Sequence, residues 1–215
     1  MNLSFPLLKL KRGQQIFFAL ALVFFSTVAL DQVTKRHAHS TLLRYADPQN
    51  VDFFTSSYYQ VGSIGKPEAA PGEKPFYVNM KFQYQRNRGA AFSMLANLSD
   101  QFRVPFFYGV TIFSVLYIIF YLRTLPINYH LTRFGLVMIM AGAIGNFIDR
   151  LIQGYVIDFV DVSWNIFGWR HDFAVFNVAD IAINVGIIAF LLEMILRRKP
   201  VYAAFQNPPQ VAEKA

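Results

Sequence analysis

Four long apolar runs, each bounded by charged or polar positions, dominate the pattern along this chain. They cover about residues 14–36, 104–122, 132–151 and 177–196. Each run is close to the ~20 residues that a helix needs to cross the hydrocarbon core of a bilayer. Pro105 falls in the first turn of the second run, where a helix tolerates proline. The pattern therefore predicts four transmembrane helices.

A pattern with a period of two lies in the long connection between the first and second runs, about residues 40–100. Apolar side chains recur at every second position from Phe76 to Tyr84, as in a strand with one apolar face. Residues 52–61 are rich in aromatic and hydroxyl side chains, which strands favour. Residues 62–75 hold three Gly and three Pro, which predict a flexible connection. We expect a small antiparallel sheet whose apolar face meets either lipid or the helices.

Composition supports one membrane domain over residues 1–215. The chain is 54% hydrophobic and only 15% charged, whereas a typical soluble domain is about 25% charged. The polar, Pro-containing segment 200–215 predicts a disordered tail. The sequence has no cysteine, which excludes disulfides, thiolate metal sites and a cysteine nucleophile. Its four histidines show no helical metal-binding pair, and no phosphate-binding glycine loop is present, so we expect no metal and no cofactor.

The net charge of +7 is typical of cationic flanks beside anionic lipid headgroups. Scattered basic residues without a recognition module argue against a nucleic-acid partner. The loop between the third and fourth runs, about residues 153–176, contains one basic residue, Arg170. The second loop and the two ends of the chain together contain eight: Lys9, Lys11, Arg12, Arg123, Arg133, Arg197, Arg198 and Lys199. Because basic residues stay in the cytoplasm and long loops translocate regardless of charge, we expect both termini to be cytoplasmic.

Two acids at the outer edge of the last runs are the strongest candidates for chemistry. Asp158 lies between apolar residues, and Asp180 opens the fourth run on a helical face shared with Asn177 and Asn184. An ionisable group at a membrane helix is a functional hypothesis by default, because lipid exposure of a charge is costly. Two carboxylates that share one proton supply the acid and the base of aspartic proteolysis. The structural alternatives are an interfacial strand carboxylate for Asp158 and a helix N-terminal acid for Asp180.

For the remaining polar residues, the first interpretation is a structural role. Asp31 and Lys35 are one helical turn apart and are predicted to pair. Asp149 is expected to pair with its neighbour Arg150, which could instead hold a substrate carbonyl or phosphate. The acids predicted to lie in loops are Asp161 and Asp172.

Five segments together resemble the lipoprotein signal peptidases, the signal peptidase II family, in their order and spacing. They are Asp31–Lys35, Asn87–Phe92, Gly145–Arg150, Val156–Phe159 and Phe176–Asp180. The resemblance implies four transmembrane helices with a small extracytoplasmic β-sheet in the inner membrane of a bacterium. It further implies an aspartyl endopeptidase that cleaves prolipoproteins on the amino side of the diacylglyceryl-modified cysteine, near the outer leaflet, and that globomycin-type inhibitors block.

Site residues follow from the same resemblance. Asp158 and Asp180 match the catalytic dyad of the family. The polar residues that match the surroundings of the dyad are Asn87, Gly89, Asn146, Arg150 and Asn177, with Asp31 and Lys35 matching the motif of the first span. Diacylglyceryl-modified prolipoproteins and membrane lipid are the expected partners.

Three departures from the family pattern affect the surroundings of the dyad. Residues 46–75 look longer than the usual first loop, residues 171–176 lack the usual Trp or Pro, and Ile181 replaces a small residue. Two other classes of function stay open, a small polytopic transporter and a non-catalytic assembly factor. A transporter tends to show broken helices in repeated halves, and the sequence shows neither.

Overall fold

The computed structural model describes residues 11–45, 59–66, 76–89 and 99–197. Its four α-helices are α1 (Arg12–Leu42), α2 (Asp100–Thr124), α3 (His130–Gln153) and α4 (Val178–Leu196). All four are long and apolar enough to cross a membrane, which confirms the predicted number. The predicted tail, most of the long insertion at 46–75 and residues 90–92 of the second motif lie outside the described residues.

Helix α1 continues to Leu42, beyond the predicted boundary at residue 36. The extra turns are stabilised by tertiary packing, because Ala38 and Leu42 contact the apolar cluster under the sheet. A 3₁₀ turn, Leu43–Tyr45, follows directly. The last turns of α1 therefore extend beyond the apolar run and pack against the sheet.

Four antiparallel strands form one sheet in the order β1 (Tyr59–Lys66), β2 (Phe76–Asn87), β3 (Val156–Ile166) and β4 (Trp169–Asp172). Strand β2 confirms the alternating pattern of the sequence. The prediction of a flexible connection from residue 62 is wrong as far as Lys66, because this segment pairs with β2 and places Ile64 opposite Val78. Backbone pairing overrides the local glycine signal there.

Strand β3 is 11 residues long and carries Asp158 near its start. Asp161, predicted to lie in a loop, is part of β3 and lies opposite Lys81 of β2. Asp172, also predicted to lie in a loop, ends β4 and forms an exposed ion pair with Arg170 at 3.0 Å. Both predictions were wrong because cross-strand partners, which local sequence does not reveal, extend the pairing.

Helix α3 contacts each of the other three helices. Its glycines allow α4 to approach closely, since a Cβ added at Gly135 would lie 2.5 Å from the carbonyl oxygen of Gly186. Small residues at crossing points are the usual way in which membrane helices reach such contact. The close packing of α3 against α4 therefore fixes the position of the first turn of α4.

The sheet lies at one end of the helix bundle, which we call the sheet end. A buried apolar cluster connects Ala38 of α1 to Tyr84 of β2 and Ile157 of β3. The segment before α4 joins the sheet because the Phe176 amide donates to the Val160 carbonyl at 3.0 Å and the Val160 amide donates back at 2.8 Å. This pairing brings β3 and the first turn of α4 side by side.

Candidate active site

Asp158 lies on β3 and is only 2% exposed. Its carboxylate accepts hydrogen bonds from Asn177 Nδ2 at 2.6 Å and from Asn87 Nδ2 at 2.9 Å. Burial, followed by the nearby charge of Asp180, raises the pKa of Asp158 to about 7, although the two amides and Lys35 act in the opposite direction. Asp158 therefore holds a proton for part of the time near neutral pH.

Asp180 is held in the first turn of α4 by a reciprocal cap. Asn177 is the N-cap residue; its Oδ1 accepts from the Asp180 amide, and Asp180 Oδ2 accepts from the Asn177 amide, both at 3.1 Å. This arrangement is the capping box expected of a helix N-terminus. Asp180 Oδ1 accepts from Asn146 Nδ2 at 3.0 Å. Two elements therefore fix the position of a half-buried carboxylate.

Neutral carboxamides connect the two acids. Asn177 Nδ2, which donates to Asp158, also donates to Asn146 Oδ1 at 3.2 Å. Asn184, predicted to share the face of Asp180, is exposed, and its Nδ2 donates to the Asp180 backbone carbonyl at 2.8 Å. Asn177 and Asn146 are thus the bridging residues, and Asn184 lies outside the arrangement.

The residues at the end of β2 place backbone groups beside the site. Asn87 Oδ1 accepts from the Gly89 amide at 3.0 Å, and the Gly89 carbonyl accepts from Arg150 at 2.9 Å. Arg150 also donates to the Asn146 carbonyl at 3.3 Å and lies over the Phe107 ring, 4.6 Å from its centroid. Arg150 Nε is buried and has no hydrogen-bond partner within the described ranges. It is therefore a donor that remains available beside the two acids.

Lys35 forms the centre of a second cluster, which meets the first at Asn146. Its Nζ lies 2.9 Å from Asp31 Oδ2, 3.2 Å from Asp149 Oδ2 and 2.8 Å from Asn146 Oδ1. The predicted Asp31–Lys35 pair is confirmed. The predicted partner of Asp149 is wrong: Asp149 pairs with Lys35 and not with Arg150, because adjacent residues on a helix face different directions.

The two acids of this cluster join four elements. Asp31 Oδ1 accepts from the Ala179 amide of α4 at 2.9 Å, and Asp149 Oδ2 accepts from the Ile157 amide of β3 at 3.1 Å. Gln32 donates to Asp149 Oδ1 at 3.0 Å. Sequence reasoning did not single out Gln32, although its position inside the Asp31–Lys35 motif was a signal. The cluster ties α1 and α3 to both elements that present the acids Asp158 and Asp180.

The arrangement offers two carboxyl groups of different burial, positioned by amides at the sheet end of a membrane bundle. Such a pair is suited to general acid–base catalysis, in which one group donates and the other accepts a proton. Among the residues that the structure describes, no group of three His, Asp or Glu side chains is placed to hold a metal ion. The chemistry that the site offers by itself is proton transfer to and from water and a carbonyl group.

Comparison with known proteins places this arrangement in a family. A family model described as signal peptidase (SPase) II matches residues 23–196. The lipoprotein signal peptidase of Geobacter sulfurreducens is 46% identical over 112 residues, which cover 52% of this chain and 66% of that protein. The lipoprotein signal peptidase of an Anaeromyxobacter species (strain Fw109-5) is 33% identical over 180 residues, covering 80% of this chain and 82% of that protein.

Solved structures agree with the fold. A bacterial membrane enzyme determined by the in meso method at 1.9 Å resolution superposes with a TM-score of 0.55 and 27% identity, over 84% of this chain and 94% of that one. A second, at 2.3 Å resolution, gives a TM-score of 0.54 and 25% identity, over 83% and 88% of the two chains. The similarity therefore extends over the helices and the sheet together.

Proposed function

The chain belongs to the signal peptidase II family, and from that premise we propose that it removes signal peptides from prolipoproteins as an aspartic endopeptidase. The observation that supports this most strongly is the meeting of Asp158 and Asp180 at the sheet end, with only neutral amides between them. The relatives are named lipoprotein signal peptidases, and the resemblance of the sequence motifs to that family leads us to propose cleavage on the amino side of the diacylglyceryl-modified cysteine.

Asp158 is the proposed acid and Asp180 the proposed base. Asp180 takes a proton from water as the water oxygen bonds to the scissile carbonyl carbon, while Asp158 donates its proton to the carbonyl oxygen. The tetrahedral diol then collapses: the C–N bond breaks, the leaving nitrogen takes the proton from Asp180, and a hydroxyl returns a proton to Asp158. The products are a signal-peptide carboxylate and a free amino-terminal cysteine. The raised pKa of Asp158 supports this assignment, because the acid must hold a proton at working pH.

Positioning of the peptide falls to the surrounding polar groups. Asn87 and Asn177 hold the Asp158 carboxyl, and Asn146 holds Asp180, so neither acid needs to reorganise during the reaction. The available Nε–H of Arg150 is suited to a carbonyl oxygen of the peptide backbone. We expect globomycin-type inhibitors to compete for this same space.

The membrane orientation belongs to the same proposal. The end of the bundle opposite the sheet is where α1 and α3 begin and α2 and α4 end. Its basic residues include Lys11, Arg12, Arg123, Arg133 and Arg197. Because cytoplasmic flanks are rich in Lys and Arg, both termini are placed in the cytoplasm. The acids then lie near the outer leaflet, at the depth where a lipid-anchored substrate presents its scissile bond.

The proposal is tested by incubating the purified full chain with a lipid-modified prolipoprotein and with the same precursor lacking the lipid. Mass spectrometry of the products should place the cut immediately before the modified cysteine, and only in the lipid-modified precursor. Asp158→Asn and Asp180→Asn should both be folded and inactive. A folded wild type that leaves the lipid-modified precursor intact would refute the assigned reaction. A variant that retains substantial activity would refute the dyad but not the reaction.

A further inference from the structure

A cavity outside the dyad lies at the sheet end, between the last turns of α1 and α3 and the start of β3. Its volume is about 210 Å³. Arg36 and His39 of α1 and Ile152 and Gln153 of α3 line its outer part, and neither proposed catalytic acid is among its lining residues.

The inner wall of the cavity is already satisfied by internal contacts. Gln32, Lys35 and Asp149 line it. Gln32 Nε2 donates to Asp149 Oδ1 at 3.0 Å and to the Gly145 carbonyl at 3.1 Å. The ammonium of Lys35 is shared between two carboxylates and an amide oxygen. These groups therefore have little capacity left for a ligand.

The groups that stay available in the outer part are mostly donors. Arg36 is exposed, and no hydrogen bond or ion pair links it to another residue of the described ranges. A guanidinium offers five N–H donors and no acceptor. His39 uses Nδ1 to contact the Tyr84 hydroxyl at 2.9 Å. When that hydroxyl is the donor, the Nε2 of His39 carries the proton and is a second donor. Donors without acceptors select an anionic oxygen group, such as a phosphate.

Gln153 supplies the complementary group. Its Nε2 donates to the Tyr155 carbonyl at 3.3 Å, while its Oε1 accepts nothing from the residues that the structure describes. An amide oxygen accepts from a hydroxyl or an ammonium. The available groups therefore match a phosphate that carries a short polar substituent, as in a glycerophospholipid headgroup.

The rim of the cavity is apolar and faces the membrane. Ile152, which lines the cavity, is 72% exposed, and Val33 and Leu30 on the neighbouring face of α1 are 64% and 56% exposed. Arg36 lies six residues beyond Leu30, a helical rise of about 9 Å. That rise matches the step from hydrocarbon to headgroup, which is about 5–8 Å thick on each side of a bilayer. The rim is thus continuous with the lipid-facing surface of the bundle.

We propose that this cavity binds one membrane phospholipid. Its phosphodiester is held by Arg36 and His39, its headgroup substituent by Gln153, and its acyl chains lie along Ile152 and Val33. The bound lipid covers the outer side of the Lys35 cluster. The site is independent of substrate cleavage, since none of these five side chains contacts the dyad.

The test is native mass spectrometry of the full chain released from detergent after incubation with phosphatidylglycerol, phosphatidylethanolamine or diacylglycerol. Wild type should retain one molecule of either phospholipid and little diacylglycerol, which lacks the phosphate. Arg36→Gln should lower phospholipid occupancy about tenfold, as expected for losing a hydrogen bond to a charged group. Arg44→Gln is the matched control, because Arg44 donates to the Thr41 carbonyl and does not line the cavity.

Three results would overturn the proposal. Equal occupancy in Arg36→Gln and wild type would show that the lipid lies elsewhere. Equal retention of diacylglycerol would show that the phosphate is not recognised. Inorganic phosphate that displaces the lipid at equal concentration would identify a soluble anion as the ligand. Arg36→Lys, which keeps the charge and loses the fork of donors, should lie between wild type and Arg36→Gln and serves if the Gln variant unfolds. None of these measurements depends on peptide cleavage.

Discussion

Two pairs of carboxylates lie within the same end of this molecule, and their surroundings differ in one respect. Asp31 and Asp149 both contact the ammonium of Lys35. Asp158 and Asp180 contact amide groups only, within the hydrogen bonds described above. A cation contacts both members of the first pair, whereas the second pair has no cation in direct contact, although the charge of Arg150 acts on both of its acids from nearby.

This difference decides what each pair can do. An ammonium held between two carboxylates offsets their repulsion and fixes their charge, so the group acts as a structural clamp. Neutral amides orient a carboxylate without offsetting its charge. In that situation the more buried acid, Asp158, has a pKa raised to about 7, first by burial and then by the charge of Asp180. We therefore propose that direct contact with a cation, and not the number of acids, separates a clamp from an acid–base pair.

The two pairs also share one residue. Asn146 Oδ1 accepts from Lys35, and its Nδ2 donates to Asp180. An ammonium can only donate, so it holds the oxygen of this amide on its own side and turns the NH₂ group toward Asp180. The structural pair therefore sets the orientation of one member of the other pair.

The largest expected effect follows from breaking the amide-linked pair. Asp158→Asn or Asp180→Asn should lower kcat/KM by at least about a thousandfold, because residues that act as a unit lose most of the rate when one is removed. The unfolding temperature should change by only a few degrees, since each Asn keeps the shape of the side chain. Cleavage kinetics and thermal unfolding in detergent give the two values. An unfolded Asp158→Asn protein would remove the distinction between the pairs.

Breaking the cation-linked pair should have the opposite signature. Lys35→Met leaves Asp31 and Asp149 buried without their cation, at a cost of about 3–5 kcal/mol in the free energy of unfolding. Folded yield and denaturant unfolding measure this loss. Asp149→Asn is the milder companion, and it too should reduce the folded yield. A stable Lys35→Met protein would contradict the role of a clamp.

The next effect concerns pH and sharpens the contrast. Because the pKa of Asp158 is raised to about 7 from 3.8, its proton is present below about pH 7, and kcat/KM should fall as pH rises through that value. Stability has the same sign: the folded state binds more protons than the unfolded state between these pKa values, so this contribution is lost as pH rises across the interval. Asp158→Asn should lack this component of the stability profile. A flat wild-type profile across that interval would argue against a proton on Asp158 near neutral pH.

The smallest effect is expected at Asn184. Its side chain is exposed and bonds only its own helix backbone, so Asn184→Ala should change stability by no more than about 0.5 kcal/mol and leave kcat/KM unchanged. The same two assays apply. A large loss of activity would show that the helical face predicted from the sequence, with Asn177, Asp180 and Asn184 together, is the functional one.

Local pattern was sufficient for the helices and for part of the sheet. Apolar runs of spanning length predicted four helices, and alternation predicted β2, because both depend on periodicity within one element. The proposed catalytic acids, Asp158 and Asp180, were suggested by short motifs that each lie within one element or at its end.

Contacts between distant elements were beyond the sequence. Lys35 and Asp149 lie on different helices, and nothing in the sequence of either helix shows that they meet. Adjacency in the sequence favoured Arg150 as the partner of Asp149, although the side chains of adjacent residues on a helix point in different directions. The pairing of Ile64 and the position of Asp161 in β3 depend likewise on strand partners far along the chain. Contacts with distant elements, and not local propensity, determine the structure at these positions.

The most direct test of the contrast between the pairs is pH-difference infrared spectroscopy of purified wild type and Asp158→Asn. It follows the carbonyl stretching band of a protonated carboxylic acid. The account predicts a wild-type band that disappears as pH rises through about 7, matching the raised pKa of Asp158, and that Asp158→Asn lacks. A wild-type protein in which every carboxyl group has ionised by pH ~5, near the usual range for Asp and Glu, would contradict the proton on Asp158 and with it the distinction between clamp and acid–base pair.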